Sequence, residues 1–324
     1  MGVGLKVGLV GVGAWGKNIA RTICEDIPGL ILRRATSKNP KAKTFVGPEC
    51  DVHTDWREML ECTDLDAVFL AVPAKYNLEI ASDVLARRLP VFIEKPVALN
   101  YFDARQILNI AIANDAIADV DHVDLFNPVF DAMLQEIHGP IKKIFGRIGG
   151  PYPRRADIKP LWEYSPHLIA AVLTLVGSMP VAVMARYLQL DSEPINDPRK
   201  EIVQMDLGFN NSCDVRIEAG NGVTQKIRNI DVYLEDEVLH FVDRAHVPLS
   251  RSPALNLALR AAIPVQSNTL PLAAALRSFE KKVRMAKPDI SGLVMGVNVV
   301  SILEAVEKSL VTKDWCAINK YHDQ

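Results

Sequence analysis

Nowhere does the sequence hold the roughly 18–20 consecutive apolar residues that a bilayer-spanning helix requires. Cysteine is sparse: Cys24, Cys50, Cys62, Cys213 and Cys316 are scattered, odd in number and never spaced as CxxC. That pattern excludes a disulfide framework and suits free thiols in a reducing compartment. His53 lies near Cys50, but two residues do not make a metal site, so no metal is expected. The net charge is only −2, with no run of Lys or Arg, which argues against nucleic acid or an anionic membrane as partner. Residues 1–9 are already strand-like and run at once into glycines, which leaves no room for a signal peptide. Internal repeats and low-complexity segments are missing too. What remains is a cytoplasmic globular chain of ordinary composition, 49% hydrophobic and 23% charged, whose 324 residues suffice for two domains.

The first 121 residues alternate short apolar runs with amphipathic stretches. Strands are predicted at 6–10, 30–35, 67–72, 91–93 and 117–120. Trp15, Ile19, Ala20 and Ile23 mark one face of a helix, and 75–88 and 102–114 carry helical periodicity. The run AVFLAV at 67–72 has no polar alternation, as expected of a strand covered on both faces. This rhythm predicts a parallel, doubly wound α/β sheet over 1–121. After Asp121 a helix is predicted at 129–137, and strands then dominate: 141–148, 181–190, 201–209, 214–218, 224–234 and 238–242. Asn221-Gly222 is a hairpin signal between two of them. Helices at 167–176, 272–285 and 291–310 complete an α+β domain over 122–324 with a large open, mainly antiparallel sheet. The stretch 251–271 has no clear period.

Gly11-Val12-Gly13-Ala14-Trp15-Gly16 is a complete GxGxxG, placed after a predicted strand and opening a predicted helix. In that context Gly11 permits a tight turn, Gly13 lets backbone approach a pyrophosphate, and Gly16 packs helix on sheet. The helix N-terminus would supply free N–H groups to the phosphates. The acidic residue that usually selects NAD, about 20 positions on, is missing: 33–39 reads RRATSKN. Ser37 and Lys38 could instead hold a 2′-phosphate, which favours NADP over NAD; as solvated loop residues they would admit either.

Glu94-Lys95-Pro96 follows the apolar strand at 91–93. A lysine at the carboxyl end of a parallel strand points into the ligand crevice and can stabilise alkoxide character. A surface lysine beside a proline turn fits the spacing equally well. Trp162-Glu163-Tyr164-Ser165-Pro166-His167 precedes an apolar helix. Glu163 and His167 would share a face on a continuous helix, but Pro166 disfavours a helical Ser165, so a loop running into a helix start is expected. Histidine can accept a hydroxyl proton near neutrality; it can equally be a cap or packing residue there.

Together these motifs resemble the glucose–fructose oxidoreductase/inositol dehydrogenase/rhizopine catabolism (Gfo/Idh/MocA) family. The resemblance runs nearly end to end: GVGAWGKN, LAVPA at 70–74, EKPVAL at 94–99, LFNP at 125–128, LWEYSPH at 161–167 and SILEAVEKS in the last helix. GxGxWG, EKP and the stretch ending in Pro166-His167 resemble members that act on surface-polysaccharide sugars. The resemblance implies a catalytic lysine and histidine with a carboxylate four residues before the histidine: Lys95, His167 and Glu163. Glu163 stands where the family has aspartate, Ser165 where it has glycine, and Asn77 where a histidine is common. The implied cofactor contacts are Gly11, Gly13, Ala14, Trp15, Gly16, Ser37, Lys38, Ala71, Pro73, Asn77, Glu94 and Lys95. Lys95, Asn127, Arg154, Arg155, Ser165 and His167 are the candidate substrate contacts. The implied activity is NAD(P)-dependent hydride transfer with a secondary alcohol or ketone of a sugar, nucleotide sugar or cyclitol. The implied assembly is a homodimer or homotetramer through the C-terminal sheet. Two other functions fit the motifs: a non-catalytic dinucleotide-binding regulator, and an enzyme that retains its cofactor and oxidises transiently.

Overall fold

The structure, a computed structural model, describes residues 4–151, 157–188, 200–243, 245–265, 267 and 269–320. The chain divides into two compact units, Met1–Phe126 with Thr269–Val300, and Asn127–Asn268 with Ser301–Gln324. Among the described residues no helix is long and apolar enough to cross a membrane.

The first unit is built on six parallel strands: β1 Leu5–Val10, β2 Leu30–Thr36, β3 Asp51–His53, β4 Ala67–Leu70, β5 Val91–Glu94 and β6 Ala118–Asp121. Their spatial order is β3-β2-β1-β4-β5-β6, the doubly wound order whose switch point lies between β1 and β4. All four residues of β4 are buried, as its uninterrupted apolar sequence predicts for a central strand. The helices that the chain contributes to this unit before Phe126 are α1 Gly16–Asp26, α2 Lys43–Val46, α3 Trp56–Leu60, α4 Asn77–Ala86 and α5 Tyr101–Ala113. Asn100 caps α5 by accepting from the Asp103 N–H at 2.8 Å. Elements α2, α3 and β3 are three to five residues long. Such pieces are too short to show periodicity, and the sequence does not predict them.

The second unit begins with α6 Pro128–Gln135, then β7 Lys143–Gly149, α7 Pro160–Val176 and β8 Ala182–Tyr187. It continues with β9 Ile202–Gly208, β10 Asp214–Gly220, β11 Ile227–Tyr233, β12 Glu237–Val242, β13 Leu249–Pro253 and β14 Ala261–Ala262. Helices α8 Pro271–Met285 and α9 Ser291–Thr312 follow, and β15 Cys316–Ala317 ends the described elements. Strands β7 to β15 form one sheet in the order β14-β13-β12-β11-β7-β10-β9-β8-β15. Every neighbouring pair is antiparallel except β7 with β10.

Four sequence expectations need correction. First, α8 packs with the first unit, not with the C-terminal part of the chain, and so does α9 as far as Val300. The reason is apolar: Phe279 of α8 forms a three-ring cluster with Phe69 and Phe92, centroids 5.4–5.5 Å apart. Each ring is nearly fully buried, and such pairs add about 0.5–1.5 kcal/mol beyond the area they bury. Second, Asn221-Gly222 does not close a hairpin, because β10 and β11 lie on opposite sides of β7. The turn is held from elsewhere: Asn221 N–H and Gly222 N–H donate to Glu201 O, and Glu201 N–H donates to Asn221 Oδ1. Third, the stretch without a period holds all of β14, the edge strand, and most of β13, its inner neighbour.

Fourth, α7 does not start at His167. It starts at Pro160 and runs through Pro166 without breaking. An interior proline costs about 3 kcal/mol. Leu161, Trp162, Leu168 and Ile169 are all at most 3% exposed, and each buried apolar side chain returns about 1.5–3 kcal/mol, so packing wins. Pro160 occupies the first turn, where proline fits, and Leu161 N–H donates to Glu201 Oε1 at 3.1 Å.

Candidate active site

The glycine loop joins the end of β1 to α1 on one side of the switch point. Gly11 has φ +96°, and a Cβ there would lie 2.5 Å from Ala71 O, so both the turn and the packing demand glycine. A Cβ on Gly16 would lie 1.9 Å from Gly11 O, which fixes how closely α1 approaches the loop. Gly13 differs: a Cβ there would meet nothing within 4 Å. The protein itself does not need glycine at this point, and the open space beside it is where a ligand can come close. No side chain caps α1, and its first turn carries no carboxylate. Lys17 N–H donates to Gly13 O and Asn18 N–H to Trp15 O, so what the helix end offers at the exposed loop Gly13–Ala14–Trp15 is its partial positive charge, which no side chain of the first turn offsets. Residues and geometry fit the pyrophosphate of a dinucleotide.

Across the switch point the chain leaves β4 through Ala71 and Pro73 and enters α4 at Asn77. Asn77 is 1% exposed, and its Nδ2 donates to Pro96 O at 3.3 Å and Val97 O at 3.1 Å. One carboxamide thus holds the loop that carries Lys95, whose bond to Pro96 is cis. Lys95 sits at the carboxyl end of β5, partly exposed, as the spacing predicts.

Glu94 precedes it, and Asp121 faces Glu94 in register across β5 and β6. Burial, then the neighbouring Asp121, pushes the Glu94 carboxyl well above the usual carboxylate range. Burial also raises Asp121, partly offset by hydrogen bonds from Glu94 and from Trp15. The Trp15 indole N–H donates to Asp121 Oδ2 at 3.2 Å, linking the glycine loop to β6. Sequence reasoning missed Asp121; its one signal was an acidic residue closing a buried strand, Ala118–Asp121.

Ser37 and Lys38 lie just past the end of β2, the first partly exposed and the second exposed. Ser37 N–H donates to His53 O, and Ser37 Oγ accepts from Asn39 N–H at 3.1 Å. The hydroxyl proton of Ser37 is left to serve a ligand. The arginines beside them are already engaged. Arg34 pairs with Asp64 at 2.7 Å, and Arg33 donates to Glu49 O at 2.7 Å.

In the second unit Glu163 and His167 lie one turn apart on α7, partly exposed, whereas Ser165 between them is fully buried. Continuity of the helix gives Glu163 and His167 the common face that the proline seemed to forbid. Ser165, a candidate substrate contact, has a buried hydroxyl without a hydrogen-bond partner. Asn127 is buried and caps α6 through Oδ1, which accepts from Val129 N–H at 2.9 Å. Only its Nδ2 could serve a substrate. Arg154 and Arg155 lie outside the described residues.

Comparison with known proteins gives a consistent result. Residues 5–122 match the family described as "Oxidoreductase family, NAD-binding Rossmann fold", GFO_IDH_MocA. A crystal structure of a protein from Magnetospirillum magnetotacticum MS-1 described as an oxidoreductase is 30% identical, with a TM-score of 0.84 over 93% of this chain and 99% of that one. Inositol 2-dehydrogenase 4 of Saccharopolyspora erythraea is 27% identical over 45% of this chain and 43% of its own length. UDP-N-acetylglucosamine 3-dehydrogenase of Acidithiobacillus ferrooxidans is 21% identical over 74% of this chain and 76% of its own. The chain spans 43–55% of the length of the first two curated relatives it matches.

Proposed function

The chain belongs to the Gfo/Idh/MocA oxidoreductase family with its NAD-binding Rossmann fold, and we propose that it transfers a hydride between nicotinamide and a secondary alcohol or ketone of a sugar, nucleotide sugar or cyclitol. The observation that carries the dinucleotide reading is the open space at Gly13 beside the uncapped end of α1. The substrate class is supported by a cyclitol dehydrogenase and a nucleotide-sugar dehydrogenase among the relatives.

The glycine loop and the first turn of α1 would hold the pyrophosphate. Bound nicotinamide supplies a hydride acceptor or donor. On the family resemblance, Lys95 polarises the substrate oxygen. His167 takes the hydroxyl proton during oxidation and returns it during reduction, and Glu163, on the same face of α7, orients it. Asn77 keeps Lys95 in place through the carbonyls of the following two residues. Asn127 Nδ2, Arg154 and Arg155 are proposed to contact the substrate, the arginines through anionic groups.

At the ribose, the Ser37 hydroxyl and the Lys38 ammonium favour a 2′-phosphate, so NADP is the proposed cofactor in preference to NAD. The C-terminal sheet is proposed to build a homodimer or homotetramer, which light scattering on the purified protein would check.

Binding of NADP and NAD, followed by titration or by thermal shift, tests the cofactor. We expect NADP to bind more tightly, and Lys38→Ala combined with Ser37→Asp to reverse the order. Tighter native binding of NAD would overturn this part of the reading. Turnover should then be sought with cyclitols, sugars and nucleotide sugars. Lys95→Met and His167→Ala should each lower it by about 10²–10⁴-fold while leaving dinucleotide affinity nearly intact. Near-native turnover in both variants would exclude this catalytic assignment.

A further inference from the structure

Three features at one end of the first sheet have no role in the reaction described so far. Glu94 and Asp121 are in register at the carboxyl ends of adjacent parallel strands, so their carboxyl groups emerge side by side. Glu94 Oε2 and Asp121 Oδ1 are both buried, and neither has an N–H or other hydroxyl partner. The other Asp121 oxygen, Oδ2, accepts the indole N–H of Trp15 at 3.2 Å, across 106 positions of sequence.

Two ionised carboxylates buried together would repel strongly, and two orphaned acceptor oxygens would each lose their hydration without a replacement bond. One proton held between them removes both penalties. Glu94 then donates and Asp121 accepts, which agrees with the more strongly raised group being Glu94. The remaining negative charge, on Asp121, strengthens the bond from Trp15. Trp15 belongs to the glycine loop, and Glu94 is the residue before Lys95.

We propose that Asp121 is a positioning residue. By sharing a proton with Glu94 while accepting the Trp15 indole N–H, it couples the dinucleotide-binding loop to the strand end that presents Lys95. This rests on the dinucleotide reading of the glycine loop. The coupling works only with one proton on the pair. The charged and titratable groups around the pair are Lys95 beside Glu94, Asp124 towards Asp121, and the adjacent His122, which is buried.

Dinucleotide affinity should therefore fall as pH rises and Glu94 loses its proton. Stability of the ligand-free protein should fall over the same range, since a raised folded-state pKa adds stability that is lost as pH rises through it. Glu94→Gln keeps an N–H donor facing Asp121 and cannot titrate.

The experiment measures NADP and NAD dissociation constants from pH 6 to 9, with melting temperatures of the ligand-free protein, for wild type, Glu94→Gln, Asp121→Asn, Trp15→Phe and the Asp121→Asn/Trp15→Phe double variant. Trp15→Phe should weaken binding about tenfold, the scale of one hydrogen bond to a charged group. The double variant should be no weaker than the worse single one, because both changes break the same link. Glu94→Gln should flatten the pH dependence of both affinity and melting temperature. Multiplicative losses in the double variant, or a Glu94→Gln profile that still follows wild type, would overturn the proposal. Should Asp121→Asn fail to fold, the Glu94→Gln profile decides alone. If wild type binds neither dinucleotide, the reading of the loop itself falls and takes this coupling with it; intact binding with an additive cycle removes only the coupling.

Discussion

Single residues in the glycine loop separate what the fold needs from what a ligand needs. A side chain at Gly16 collides with the Gly11 carbonyl at 1.9 Å, so Gly16→Ala should destabilise the protein by about 1–3 kcal/mol, the usual range for overpacking. Gly13 has open space around its missing Cβ. Gly13→Val should therefore melt within a few degrees of wild type and yet lose dinucleotide affinity by at least about tenfold, the scale of 1.4 kcal/mol. Calorimetry and titration on the two variants give opposite patterns if the assignment is right. A folded Gly13→Val with unchanged affinity would remove the dinucleotide reading. The GxGxxG spacing assigned these roles in the sequence, and the backbone agrees with them: Gly11 and Gly16 are closed in by neighbouring atoms, and Gly13 is not.

At the scale of elements the deciding quantity is buried apolar surface, not local propensity. Helix α7 carries a proline at its seventh position and continues, since its buried face outweighs the lost hydrogen bond. Pro166→Ala should restore a backbone donor for the Trp162 carbonyl. It is expected to leave helix content unchanged by circular dichroism, whereas breaking at the old boundary would lower it. Helix α8 illustrates the same rule from outside its own sequence. Its amphipathic pattern predicted a helix but could not say what it covers. Phe279→Ala should cost about 3–5 kcal/mol, the range for emptying a buried aromatic site, because the ring closes the cluster with Phe69 and Phe92. A chemical-denaturation series measures it, and a loss below about 1 kcal/mol would show that α8 is not integral to this core.

For the molecule as a whole the consequence is that the first unit is discontinuous in sequence. A fragment ending at Phe126 would expose the faces of Phe69 and Phe92 that Phe279 covers, and should lack the cooperative melting of a folded domain. The same fragment with 269–300 joined through a flexible linker should recover it. Cooperative melting of the short fragment would contradict this. The sequence by itself determined the parallel α/β class, the positions of most long strands and of the long helices apart from the start of α7, the glycine loop and Lys95 at a strand end. These depend on hydrophobic period and on backbone demands within about ten residues, both written locally. Only tertiary structure decided that Pro166 lies inside a helix. Tertiary structure also put β10 and β11 on opposite sides of β7, brought α8 back to the first core, and joined Trp15 to Asp121. Each of these depends on energies paid between segments far apart in the chain, which no local pattern encodes.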